Sequence, residues 1–114
     1  MLDKFGDDFI AKILTSDETL YIHQRKGSTA ARVAKFFAVK EAAYKALKGD
    51  LDDDITWHNF TIKHSVNGAP TLVLEGQANA LLYRKLSKGQ TPTIHLSLSD
   101  EYPYAQAYVV IEAL

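Results

Sequence analysis

Apolar positions near the start of the chain recur at helical steps. Phe5, Phe9 and Ile13 stand four residues apart, with Leu2 and Leu14 nearby, which predicts a short amphipathic helix. Thr15 followed by Glu18 matches a capping box, so a second helix is expected to start there, to carry Leu20 and Tyr21, and to stop at Gly27. Ser28 to Lys48 has neither Gly nor Pro and is rich in Ala and Lys; with Gly49 placed as a C-terminal stop, it predicts the longest helix. The acidic run Asp50 to Asp54 reads as a solvated loop.

Beyond residue 54 the period changes. Ile55, Trp57, Phe60 and Ile62 lie among Thr and His, a strand-like mixture, and Asn67-Gly68 is a strong hairpin signal with Pro70 to Leu74 as the returning strand. Gln77 to Lys88, with Ala78, Leu81, Leu82 and Leu86 apolar and Gly89 as a stop, predicts a further helix. Then Ile94, Leu96 and Leu98 alternate with His95, Ser97 and Ser99, and Ala105, Ala107, Val109 and Ile111 repeat the alternation. Asp100 to Pro103 is short enough to join the two runs as a hairpin. Helices first and antiparallel pairs later give an α+β class, a long helix packed on a small antiparallel sheet.

Length and charge narrow the function classes. One core closes at about 100–150 residues, so residues 1–114 are read as a single domain. Thirteen Lys and Arg against fourteen Asp and Glu give a net charge of -1, which argues against a general nucleic-acid binder. The absence of cysteine excludes disulfides, thiolate metal sites and thiol catalysis. No apolar run nears the roughly 18 residues of a membrane span, and no signal-peptide segment follows Met1 to Lys4, so a cytosolic protein is expected.

The most informative stretch runs from Phe36 to Leu47. Ala34, Phe37, Ala38, Glu41 and Lys45 fall along one side of the helix, so a carboxylate continues an apolar stripe. Two readings are open: Glu41 and Lys45 form an exposed i, i+4 ion pair, or a hard-metal carboxylate stands beside a phosphate-binding ammonium. The second suits phosphoryl transfer, in which Mg²⁺ takes one or two carboxylates plus phosphate oxygens and a Lys neutralises remaining charge. Ser97 and Ser99 share a strand face with His95, but no nucleophile-elbow glycine surrounds either serine, which favours hydrogen bonding over nucleophilic catalysis. His23, His58 and His64 lack zinc-site spacing. Tyr102, Tyr104 and Tyr108 read as packing aromatics, with base stacking as the other use.

Taken together, Phe37-Ala38-Val39-Lys40-Glu41-Ala42 with Lys45-Ala46-Leu47, Asn67-Gly68-Ala69-Pro70, and His95-Leu96-Ser97-Leu98-Ser99 followed by Tyr104-Ala105-Gln106-Ala107 resemble the ordered motifs of the holo-acyl-carrier-protein synthases, 4′-phosphopantetheinyl transferases. The early Ile13-Leu14-Thr15-Ser16-Asp17-Glu18 is similar to that family's ILT-x-x-E. The resemblance implies Mg²⁺-dependent transfer of phosphopantetheine from coenzyme A to a serine of apo acyl carrier protein, in fatty acid biosynthesis, by a homotrimer with sites between subunits. The charge balance and the lack of a long apolar run already lead to the expectation of no nucleic-acid and no membrane partner. The resemblance makes Glu41 the metal ligand and places Lys45 at the phosphates or in proton transfer. Lys40 adds positive charge near the coenzyme, Gly68 and Pro70 belong to the loop against it, and Ser97 and Ser99 to the strand face beside the nucleotide.

Departures accompany the match. The family's opening strand ends in Gly-x-Asp, whose aspartate is the other metal carboxylate, and nothing before Phe5 resembles it. Of the basic helix that meets the carrier, Lys4 and Lys12 remain. Phe36 replaces an arginine, Ala69 the lysine of Gly-Lys-Pro, and Asp100 a histidine. Three explanations are open: a chain lacking its first strand, a homologue that binds coenzyme A or carrier without catalysing, or an enzyme in which Asp100 or Glu101 replaces the missing ligand.

Overall fold

A computed structural model of the chain describes residues 4–25, 29–47, 55–101 and 104–114. The chain runs α1 (Lys4–Ile13), α2 (Ser16–His23), α3 (Thr29–Leu47), a 3-10 turn (Trp57–Asn59), β1 (Phe60–His64), β2 (Pro70–Leu74), α4 (Gly76–Arg84), β3 (Pro92–Glu101) and β4 (Tyr104–Ala113). The class is α+β as expected, with the strands divided between two antiparallel pairs, β1–β2 and β3–β4. The long helix α3 packs against the β3–β4 pair, chiefly on β4, and β2 lies beside β3.

The helix starts follow the capping chemistry. Thr15 Oγ1 accepts from the Glu18 N–H at 3.2 Å and Glu18 Oε1 accepts from the Thr15 N–H at 3.0 Å, closing the capping box that opens α2. The helix ends at His23 with Gln24 as its cap; Gly27, the expected stop, lies outside the described residues, as do Gly49 and the Asp50 to Asp54 run. On α1 the buried side is Ile10 and Ile13, continued by Leu14, whereas Phe9 remains 45% exposed and packs edge-on to Phe37. The expected face is therefore rotated by about one position, because the core lies toward Ile10.

Trp57 departs from the strand reading. It opens a 3-10 turn, whose Asn59 Oδ1 accepts from the Thr56 N–H and whose Trp57 carbonyl accepts from the Phe60 N–H, so the strand begins only at Phe60. Helix α4 also ends earlier than expected, at Arg84, where the Lys85 N–H donates to the carbonyls of Leu81 and Leu82. Gly89 serves a later turn, closed by the Gln90 N–H on the Ser87 carbonyl. In the last hairpin, Asp100 and Glu101 continue the ladder opposite Ala105 and Tyr104 instead of forming the turn.

The β1–β2 hairpin turns at Ser65 to Ala69. The Gly68 N–H donates to the Ser65 carbonyl at 2.8 Å and Gly68 sits at φ +89°, the type I turn plus left-handed residue of a three-residue loop. A Cβ there meets nothing within 4 Å, so a Gly68→Ala change costs only backbone conformation, about 1–2 kcal/mol. A loss of that size in unfolding free energy, seen as a lower urea midpoint with an unchanged slope, is the expected result; an unchanged midpoint would contradict it.

Candidate active site

Helix α3 turns Val33, Phe36, Val39, Lys40, Ala43 and Leu47 inward. Glu41 and Lys45, one turn apart, are both exposed on its outer side. Among the described residues no ion pair joins them. Also among these residues, no group of three or more His, Asp and Glu could enclose a metal ion. Glu41 nevertheless fits one kind of cation site: Mg²⁺ keeps several waters and takes one or two carboxylates plus substrate phosphates, which an open, solvent-facing carboxylate permits.

Lys40 is a correction to the sequence reading. It was expected to add charge beside a bound coenzyme, yet it is 0% exposed and its ammonium lies 2.7 Å from Glu18 Oε1, itself 1% exposed. It also donates to the carbonyls of Trp57, at 3.1 Å, and Phe60. Glu18 Oε2 accepts from the Ile62 N–H at 2.8 Å. Burial holds the Lys40 ammonium below the ordinary Lys value, while the hydrogen bond and charge of Glu18 pull it back up. The capping-box glutamate thus has a second task that local spacing did not reveal, because its partners are 22 and 44 residues away.

Gly68 is exposed at the hairpin tip and Pro70, half-buried, opens β2. Beside them lies a recess of about 440 Å³ lined by Asp17, Tyr21, Arg25, Lys63, His64 and Gly68, among others. Its wall is a stack: the Arg25 guanidinium sits 4.0 Å above the Tyr21 ring, and the His64 ring lies 3.9 Å below it at 9°. Phe36, buried, packs within 6.1 Å of both Tyr21 and His64. This cationic, aromatic corner was missed in the sequence; the step of four from Tyr21 on α2 to Arg25 just past its cap was the local signal.

His64 carries a pH consequence. Burial, then the charges of Arg25 and Lys35, lower its pKa from the ordinary 6.5. The folded state therefore prefers the neutral ring, and stability present above the unfolded value of about 6.5 is lost as pH falls through the lower folded value. A His64→Phe variant keeps the stack and is expected to show a flatter decline of Tm between about pH 7.5 and about pH 5. Equal slopes in the two proteins would contradict this.

On β3, Ile94, Leu96 and Leu98 pack toward the core with Ala107, Val109 and Ile111 of β4, so Ser97 and His95, both exposed, face away from α3. His95 Nε2 lies 2.6 Å from Glu112 Oε1, which directs the ring to a carboxylate across the hairpin. Ser99 pairs in the ladder with Gln106. Within one chain, then, Glu41 and Lys45 share the exposed side of α3, Ser97 lies on the strand face turned away from that helix, and Gly68 lines the recess beside Tyr21 and Arg25.

This arrangement of helices and paired hairpins is that of the 4′-phosphopantetheinyl transferases, whose superfamily model matches residues 1–107. The holo-[acyl-carrier-protein] synthase of Paramagnetospirillum magneticum is 42% identical over 113 residues, spanning 98% of this chain and 84% of that protein. The crystal structure of the Neisseria meningitidis holo-[acyl-carrier-protein] synthase superposes with a TM-score of 0.76 at 34% identity, covering 96% of this chain and 83% of that one. The Bacillus anthracis enzyme, solved in complex with CoA (3′,5′-ADP), gives 0.73 at 27% identity over 99% of this chain and 87% of that one. The chain belongs to the holo-[acyl-carrier-protein] synthase family.

Proposed function

We propose that this chain transfers the 4′-phosphopantetheine group of coenzyme A to a serine of apo acyl carrier protein, dependent on Mg²⁺, in the cytoplasm and for fatty acid biosynthesis. The observation that carries the site assignment is the paired exposure of Glu41 and Lys45 on α3, with the intervening turn held by a buried face. In this reading the carrier serine oxygen attacks the phosphorus nearer the pantetheine. The bond from that phosphorus to the bridging oxygen breaks, adenosine 3′,5′-bisphosphate leaves, and the hydroxyl proton passes to solvent. Such a transfer needs positioning and charge neutralisation more than a covalent intermediate.

Glu41 would hold the Mg²⁺, which when bound neutralises charge on the pyrophosphate. Lys45 adds an ammonium at the phosphates from one turn further along. Gly68 and Pro70 lie against the coenzyme, and the neighbouring recess suits a phosphate group through Arg25 and Lys63. The guanidinium beside this recess is that of Arg25, whereas the position where the family carries arginine is Phe36, buried beneath the stack. Ser97 and Ser99 complete the strand face beside the nucleotide.

A homotrimer with sites between copies is part of the proposal. Ser97 lies on the strand face turned away from α3 and Glu41, and the same side of the β3–β4 pair leaves Tyr108 at 64%, Val110 at 53% and Leu114 at 70% exposed. A neighbouring copy covering that face would bring the separated residues together. The test is release of adenosine 3′,5′-bisphosphate from coenzyme A on adding apo carrier protein. Release that requires Mg²⁺ and stops with chelator supports the reading; release insensitive to chelator overturns the metal assignment, and coenzyme binding without release supports a non-catalytic homologue.

A further inference from the structure

The outward bearing of Glu41 and Lys45 needs a cause, because hydrophobicity alone does not supply one. Ala34, Phe37, Ala38, Ala42 and Ala46 spread apolar positions over the other sides of α3 as well, among Arg32, Lys35, Glu41 and Lys45. A helix that is apolar around much of its circumference can bury more than one face. Cores built on size and hydrophobicity alone lose uniqueness before they lose stability.

Lys40 removes that ambiguity. Its ammonium has three donor hydrogens, and three acceptors meet them: Glu18 Oε1 on α2, the Trp57 carbonyl in the 3-10 turn and the Phe60 carbonyl at the start of β1. Glu18 is anchored in turn by the Thr15 and Ile62 N–H groups. Successive residues of a helix are about 100° apart, so an inward Lys40 sets Glu41 about 100° and Lys45 about 140° around the axis, on one side. A buried ion pair contributes little net stability compared with apolar side chains of the same volume, which leaves orientation as the use of this one.

We propose that the buried Glu18–Lys40 pair is a positioning device that fixes the rotation of α3 and thereby the bearing of Glu41 and Lys45. Its catalytic consequence rests on the phosphoryl-transfer reading above. Neither residue touches substrate in this account; both act through Glu41 and Lys45.

The chain contains no cysteine, so single introduced thiols report position cleanly. Val39→Cys places one on the buried side of α3, Ala34→Cys on the exposed side, and Leu82→Cys in the core part of α4. In the parent, a maleimide labels position 34 quickly and leaves 39 and 82 protected. In a folded Glu18→Gln/Lys40→Met variant the contrast between 34 and 39 is expected to collapse while 82 stays protected. Turnover at saturating coenzyme A is expected to fall by about 10²-fold, the scale of a misplaced catalytic group.

A retained contrast overturns the proposal whatever turnover does, and so does a collapsed contrast with unchanged turnover. Should the variant not fold, Glu18→Gln/Lys40→Gln is read by the same criterion. If the parent itself shows no turnover, the labelling still decides the rotation, and the failure falls on the transfer reading alone.

Discussion

Replacing Glu41 with Gln lowers turnover by about 10²–10³-fold, the loss typical when one electrostatic contact to a developing charge is removed. The substitution keeps the shape of the side chain and removes its charge, so a hard cation loses its anionic ligand while water and phosphate oxygens remain. Glu41 is exposed, and surface changes away from packed features usually shift stability by less than about 0.5 kcal/mol. A melt matching the parent, a collapsed rate, and partial recovery at high Mg²⁺ form the expected pattern. Unchanged Mg²⁺-dependent turnover would remove Glu41 from the metal site.

Lys40→Met, one position away, has the opposite signature. Removing one member of a buried ion pair leaves the Glu18 carboxylate enclosed without its cation, and such changes cost about 3–5 kcal/mol. The carbonyls of Trp57 and Phe60 lose their donor at the same time. In a domain slightly above 100 residues each kcal/mol lowers Tm by about 4 °C, so a fall of more than about 10 °C is expected in thermal unfolding. Lys45→Met, on the exposed side, is expected to leave Tm within a few degrees of the parent. A Lys40→Met protein melting as the parent does would show that the pair is not enclosed as described.

The contrast between these neighbours explains what could be read from the sequence and what could not. The helix over 29–47, the capping box at Thr15 and the alternation on β3 and β4 rest on contacts within a few residues, which spacing exposes directly. The side of α3 that faces the core does not, because Phe37 and Ala38 are as apolar as Phe36 and Val39. Lys40 reads as a surface charge until Glu18, Trp57 and Phe60 are brought around it from α2 and the start of β1. The same holds for Phe9, whose exposure reflects where the core lies relative to Ile10, and for His64, whose partners Tyr21 and Arg25 are more than 35 residues earlier. Of the candidate residues, the shared exposed side of Glu41 and Lys45 was legible because one helix carries both. The relation of Ser97 and Gly68 to them was not, since those residues lie on β3 and the β1–β2 turn, far along the chain from α3.

Group transfer at a site built around Glu41 is read out by intact-mass spectrometry of apo acyl carrier protein after incubation with this chain, Mg²⁺ and coenzyme A, run beside the Glu41→Gln variant and a chelated control. A carrier heavier by one phosphopantetheine is expected with the parent, with little or none in the other two. A carrier whose mass does not change with the folded parent chain would contradict it.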